Sequence, residues 1–341
     1  MIDFVTIVFH RDLDIWLLQA RSFANYCDPA CVSSINIIIN EQSKAAEKST
    51  IHRIKKNLFE FRSLQKKVKL WTSGKILRQK STKLASIINQ LSFMKKREFS
   101  AAEKGWNTQQ VLKLLCYSIC ARENIVLLDA KNHFVAQVSY KDFFSTDGKP
   151  NAVMTIKAPK HSQHRWLLDS LAVFKVPKHW ASKPTPPTTT PYPVTRTMLS
   201  GLCKALEAEY GSVENFFKNK KSRATEFFLI AAHTVSLHQT LNEKFNTIQR
   251  PRSVIFRKSP HKSTELNIFI DRAEKGESPI FGIHAARKNR FSASHYAKIM
   301  RLWHNKKLAS PSETARILGL IALPESTYQA DDKTKKKDSI S

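Results

Sequence analysis

The sequence predicts an α/β protein, with a mostly parallel central sheet flanked by helices and a helix-rich C-terminal half. Three observations predict it. Strand-like Asp3–Phe9 and the apolar run Ile35–Ile39 enclose a helix through Trp16, Leu17, Ala20 and Phe23, a βαβ opening whose two strands should lie parallel. A helix from about Asn107 to Ala121 leads into a second apolar strand, Asn124–Leu128, which stops abruptly at Asp129. Residues 181–193 then hold five of the 14 prolines, so no regular element can continue through them, and the pattern beyond is helical.

The remaining elements follow in order. Lysine-rich helical segments are expected around 43–62 and 76–95, with a short strand Val68–Trp71 between them. After Asp129 come a strand over His133–Val138, a turn at Tyr140–Phe144 and a helix over Ser162–Phe174. Residues 1–180 thus read as an α/β core, 181–193 as a Pro/Thr-rich linker or loop, and 194–327 as a helical region. Its helices are expected near 195–209, 212–219, 223–237, 262–275, 291–304 and 311–319, broken by a strand Ile280–Ile283. Residues 328–341 are polar, with Lys335–Lys337, and read as a disordered basic tail.

With 341 residues, 42% of them hydrophobic, the chain can fill a sizeable core. No run approaches the roughly 18 apolar residues of a membrane span, and the first strand begins without a basic leader, so the expectation is a cytoplasmic protein. Five cysteines include two pairs spaced i, i+4 (Cys27/Cys31 and Cys116/Cys120) but no CxxC. They read as reduced structural thiols.

Charge is the unusual feature: 56 Lys and Arg against 28 Asp and Glu leave +28. Sixteen of the basic residues fall within 41–100 against four Glu. Such an excess implies anionic company: nucleic acid, an anionic membrane surface to which the protein would be peripheral, or a phosphorylated glycan. A solvated helical face accounts for the run equally well. No P-loop, GxGxxG, HExxH or GxSxG occurs, and eight glycines leave little for a phosphate-cradling loop, which counts against kinase, dehydrogenase, zinc protease and serine hydrolase readings.

Ligands of open α/β sheets bind beyond the carboxyl ends of the strands, where Asp129-Ala130-Lys131-Asn132 is expected. Taken alone, an Asp after a strand is most often a turn former. Its context is Gly105-Trp106-Asn107-Thr108-Gln109-Gln110-Val111-Leu112-Lys113-Leu114, then a helix, then Val126-Leu127-Leu128-Asp129. That combination resembles a little-characterised group of bacterial glycosyltransferase-like proteins with a Gly-Trp-x-x-Gln-Gln-x-x-Lys-Leu helix before an Asp-containing strand end. The start, Phe4–Phe9 followed by Leu17-Leu18-x-x-Arg21-Ser22, is similar too, as are Thr225-Glu226-Phe227 and Phe281-Gly282-Ile283-His284.

The resemblance implies an A-type glycosyltransferase-like, Rossmann-like core, a nucleotide-sugar donor and a polysaccharide or lipid-linked acceptor. It implies Asp129 and His284 on a divalent cation (Mn²⁺ or Mg²⁺) or on the donor, with Arg287 beside them. Asn132, Gln109, Gln110, Lys113 and Trp106 would bind the donor, and Glu226 would be the base that deprotonates the acceptor. The second acidic position of the A-type Asp-x-Asp is Lys131 here, which puts metal dependence in question. Two readings of Lys131 stay open: its charge stabilises the leaving phosphate, or it pairs with Asp129. A basic nucleic-acid-binding protein and a non-catalytic, glycan-binding relative of the transferases are the alternatives.

Overall fold

The computed structural model describes residues 1–80, 101–219, 223–251, 253–257 and 259–320. The expected tail at 328–341 and much of the expected 76–95 helix lie outside them. The chain divides into two compact units, Met1–Pro251 and Arg252–Ser341, and residues 181–193 lie inside the first.

The first unit is built on a five-stranded sheet. β1 (Ile2–Val8), β2 (Val32–Ile39), β3 (Val68–Thr72), β4 (Asn124–Asp129) and β5 (Tyr192–Thr195) lie in the order β3-β2-β1-β4-β5. Phe4 of β1 sits level with Ile35 of β2 and Val126 of β4, and all three pairings of β1 to β4 are parallel. Only β5 runs antiparallel, with Leu127 opposite Tyr192. The α/β arrangement with a mostly parallel sheet is therefore the one found. Strands buried on both faces explain the near-continuous apolar runs at Ile35–Ile39 and Asn124–Leu128.

Alternation along β1 splits its side chains between two helical layers. Phe4 meets Phe23 of α1 (Leu13–Tyr26) edge-on at 5.0 Å, and Phe143 at 5.6 Å. Val5 and Ile7 join a core with Leu112 and Leu115 of α4 (Ala101–Leu115) and Phe228 and Leu229 of α8 (Glu226–His238). Between these, α2 (Lys44–Lys56) is capped by Ser43 and buries only Thr50 and Ile54, so most of its lysines face water. The rest of the expected 43–62 helix is a 3-10 segment, Leu58–Lys67, kinked at Arg62 with φ 47°. After it come α3 (Ser73–Lys80), α5 (Ser162–Val173), α6 (Arg196–Tyr210) and α7 (Val213–Asn219).

Two elements differ from the sequence expectation. The strand expected over His133–Val138 is only two residues long, His133–Phe134. The stretch expected as a linker ends in β5, where Pro193 is tolerated because an edge strand with a single partner need not use every N–H. The five cysteines are all free and buried, with Cys27 and Cys31 sulfurs 3.9 Å apart.

The second unit pairs two short parallel strands, β6 (Val254–Ile255) and β7 (Ile280–Ile283), with helices α9 (Ser263–Lys275), α10 (Ala293–Asn305) and α11 (Pro311–Leu318). Its interior includes Leu266, Ile270, Phe281, Leu302 and Trp303. Among the described residues, no helix is long and apolar enough to cross a membrane.

Candidate functional site at the carboxyl end of the fourth strand

β4 delivers Asp129 to the carboxyl edge of the sheet, and the chain turns there at once. Asn132 N–H donates to Asp129 O (2.9 Å), while Asn132 Oδ1 accepts from Asp129 N–H (2.9 Å). The amide of Asn132 also donates to Thr190 O at 3.3 Å. Both ends of Asn132, expected on the donor, are thus spent on holding the turn. Gln19 of α1 clamps it from below, donating to Asp129 O (3.0 Å) and Asn132 O (2.8 Å) and accepting from Thr6 Oγ1 (2.9 Å). Next to the turn, the buried His133 ring contacts Lys131 O at 3.1 Å. Burial pushes its pKa down to about 4, against the smaller opposing effect of that contact.

Asp129 is gripped by two lysines. Lys113 Nζ lies 3.1 Å from Oδ1, at ion-pair distance but off the hydrogen-bonding direction, and Lys131 Nζ donates to Oδ2. Lys113 comes from α4, two residues short of its end and two turns after Trp106, and it reaches a second carboxylate: Glu226 Oε1 at 3.2 Å. Glu226 opens α8, where a negative charge is favoured by the helix dipole. A single ammonium, nine-tenths buried, therefore bridges two carboxylates that lie far apart in the chain. Burial pulls Lys113 down, but the charges of Asp129 and Glu226 outweigh it and its pKa is raised. Burial likewise pushes Asp129 up, and Lys113 and Lys131 overcome it to hold the carboxyl well below the usual range.

Aromatic and hydroxyl groups surround these charges. Phe227 stacks on Tyr192 of β5 at 4.2 Å and 23°, and Lys113 Nζ lies 4.9 Å from the Phe227 ring centre, a cation–π contact. The Tyr192 hydroxyl is buried without a hydrogen-bond partner; burial, then the charge of Glu226, raises its pKa. Thr225, at the N-cap of α8, makes no capping bond and its hydroxyl is also unpartnered. Asp12, in the turn after β1, feels the same site: burial raises its pKa, Arg11 offsets part, and Asp129 adds to the rise.

The other expected residues fall as follows. Trp106, Gln110 and Lys113 share one face of α4 at i, i+4, i+7. Gln110 is buried, with Nε2 3.4 Å from Asn107 Oδ1 and Oε1 unpartnered. Gln109 is half-buried, and Trp106, 44% exposed, stands 6.3 Å ring to ring from Trp166. His284 and Arg287 belong to the second unit. His284 follows β7 and accepts Ala286 N–H at 3.1 Å. Arg287 is buried and donates to the carbonyls of Pro260 (2.7 Å) and Arg257 (3.5 Å), so its charge serves the loop.

A divalent cation does not fit the Asp129 end. Both carboxylate oxygens already face ammonium groups, and a doubly charged ion would have to enter beside two positive charges. Among the described residues, no group of three His, Cys, Asp or Glu side chains could hold a metal. Gln19, Thr190 and Tyr192 escape sequence reasoning, and Thr225 enters it only as part of the Thr225-Glu226-Phe227 segment. Gln19 alone leaves a signal, as one polar residue on the apolar side of α1 between Trp16 and Phe23.

Fold and site together define an α/β protein with a buried, lysine-bridged carboxylate pair at the carboxyl edge of a parallel sheet. The model of a family of unknown function, DUF6492, matches residues 21–300, and the chain belongs to that family. No curated protein matches. Several solved structures are similar to it at low identity. Mouse xyloside xylosyltransferase 1 in its apo form has TM-score 0.41 and 10% identity, covering 83% of this chain and 97% of that one. Galactosyltransferase LgtC, in complex with donor and acceptor sugar analogs, has TM-score 0.40 and 8% identity, covering 96% and 99%. The bifunctional glycosyltransferase WbbM has TM-score 0.40 and 11% identity, covering 83% of this chain and 45% of that one.

Proposed function

We propose that the protein is a glycosyltransferase that moves a sugar from a nucleotide-sugar donor to a hydroxyl of a polysaccharide or lipid-linked acceptor. The observation that carries this reading is Lys113 bridging Asp129 and Glu226 beside Lys131, a buried charge cluster where ligands of parallel sheets bind. A cluster this deep costs stability unless each charge is paired, and it is solvent-accessible at Lys131 and Asp129, with side chains 16% and 20% exposed.

In the transfer, the acceptor oxygen bonds to the anomeric carbon as the bond from that carbon to the diphosphate oxygen breaks, and the nucleoside diphosphate leaves with the electron pair. Lys131 stabilises the charge that develops on the leaving phosphate. For an inverting reaction Glu226 accepts the acceptor's proton. Trp106, Gln109 and Gln110 belong to the sugar side, where a ring face and amides suit a hydroxylated ligand. A carrier in the anionic inner leaflet, or a phosphorylated glycan, would be drawn by the +28 charge.

The test is thermal stability against a panel of nucleotide sugars and nucleoside diphosphates in moderate salt, with pyrophosphate and ATP beside them. A ligand at a hundred times its Kd stabilises by about 2.7 kcal/mol. A shift confined to one nucleotide family and weakened in Lys131→Ala supports the reading; uniform shifts with every polyanion sink it. The second reading is nucleic-acid binding, favoured by the exposed Lys44, Lys48, Lys55, Lys56, Lys66 and Lys69. Under it, binding to unrelated DNA falls steeply with salt and no nucleotide sugar competes.

A further inference from the structure

Resting on the nucleotide-sugar reading above, we infer that Lys113 holds the place a divalent cation takes in a metal-dependent diphosphate site, so that this site works by lysine charge with no metal. Three observations carry the inference. Lys113 Nζ sits 3.1 Å from Asp129 Oδ1 and 3.2 Å from Glu226 Oε1, joining a strand end to a helix start as a bridging ion would. Lys131 takes the other oxygen of Asp129, which leaves that carboxylate no free edge for a metal. Charge also balances: the two ammoniums and two carboxylates of the bridged cluster sum to zero, and Asp12, which feels the same site, has Arg11 to offset it.

Lys113 is fixed in this role. Its ammonium is walled by the Phe227 ring at 4.9 Å and its side chain is only 9% exposed. Lys131 is the cation that can turn from Asp129 to an incoming phosphate oxygen, since it lies at the rim and its carboxylate keeps Lys113 as a partner. Beside the pair, the unpartnered hydroxyls of Thr225 and Tyr192 are donors with nothing yet to bond, which an anionic ligand would satisfy. The division of labour is one buried lysine that organises two carboxylates and one rim lysine that meets the ligand.

The test is a Mn²⁺ titration of the metal-stripped full chain followed by electron paramagnetic resonance, paired with calorimetric binding of UDP, GDP and pyrophosphate in EDTA and in Mn²⁺. Wild-type protein is expected to leave Mn²⁺ free. One nucleoside diphosphate should bind within about twofold in the two conditions, and Lys131→Ala should weaken it about tenfold, the loss of one charge-assisted contact. Lys113→Met, which leaves two carboxylates without their cation, should gain a Mn²⁺ site that a further Asp129→Asn removes. Mn²⁺ held by wild type and released by Asp129→Asn, or diphosphate binding that EDTA abolishes, overturns the inference. If Lys113→Met does not fold, the wild-type and Lys131→Ala arms decide it. Absence of diphosphate binding in both conditions, with Mn²⁺ free in wild type, counts against the transferase reading and leaves the metal-free cluster standing.

Discussion

Asp3 and Asp129 stand at opposite ends of neighbouring strands in the parallel sheet, and they are held by opposite kinds of partner. Asp3 is fully buried. Its Oδ1 accepts from Ser34 Oγ (2.7 Å) and its Oδ2 from the backbone N–H of Ala121 and Arg122 (2.7 Å each). Asp129 faces two lysine ammoniums, one on each oxygen, and its side chain is 20% exposed. Fixed neutral donors make a carboxylate into a lock that joins β1, β2 and the turn before β4. A movable charge makes it a site, because Lys131 can exchange its carboxylate for a ligand anion while Lys113 keeps Asp129 paired. Burial and charge alone do not mark function; the nature of the partners does.

The largest expected effect comes from breaking the bridge. Lys113→Ala leaves Asp129 and Glu226 without their shared cation in a buried setting and should cost about 3–5 kcal/mol, read by urea denaturation. Asp3→Ala comes next: two backbone N–H groups and a hydroxyl lose their acceptor, for about 2–3 kcal/mol, while ligand binding per folded molecule stays unchanged. Asp129→Asn should cost less, about 1–2 kcal/mol, because Lys113 keeps Glu226, yet it should change nucleotide-dependent stabilisation, since Lys131 loses the carboxylate it exchanges for phosphate. That crossing of stability and binding between the two aspartates is what the comparison requires.

Acidity sharpens it. His133 is held neutral, its pKa lowered from 6.5 to about 4, so the unfolded chain binds more protons over that interval and stability falls as pH drops from about 6.5 to 4, by at most about 3 kcal/mol. Asp129, depressed by its lysines, adds a loss only below the ordinary carboxylate pKa, as pH falls further. Stability curves of His133→Gln should show a shallower first slope, the remainder belonging to His233 and His295, whose pKa values burial also lowers, and keep the second. The smallest effect belongs to the surface: Lys55→Glu with Lys56→Glu should change stability by no more than about 0.5 kcal/mol while weakening any polyanion binding, measured by salt-dependent DNA titration.

Much of this was legible in the sequence, for identifiable reasons. β1, β2 and β4 announce themselves because both faces of a parallel sheet are covered, and uninterrupted apolar runs follow. The i, i+3 and i, i+4 spacing of Gln109, Gln110 and Lys113 marks one face of a helix from local geometry alone. Glu226 opening a helix after Thr225 is equally local. That Lys113 bridges Asp129 and Glu226 is not, since nothing in the spacing of three distant residues says they meet. β5 was hidden by its own composition: Pro191 and Pro193 signal a break, yet an antiparallel edge strand accepts them, and Tyr192 enters the site from there. Arg287 misled in the other direction. An arginine expected beside His284 reads as a donor contact, but here the backbone carbonyls of Arg257 and Pro260 take its N–H groups.

The most direct measurement is isothermal titration of the nucleoside diphosphate selected by the stability panel into wild type, Asp3→Asn and Lys131→Ala. Equal affinity is expected for wild type and Asp3→Asn, with about tenfold weaker binding to Lys131→Ala. Wild-type affinity in Lys131→Ala, or equal losses in both variants, would contradict the placement of the site at the end of β4.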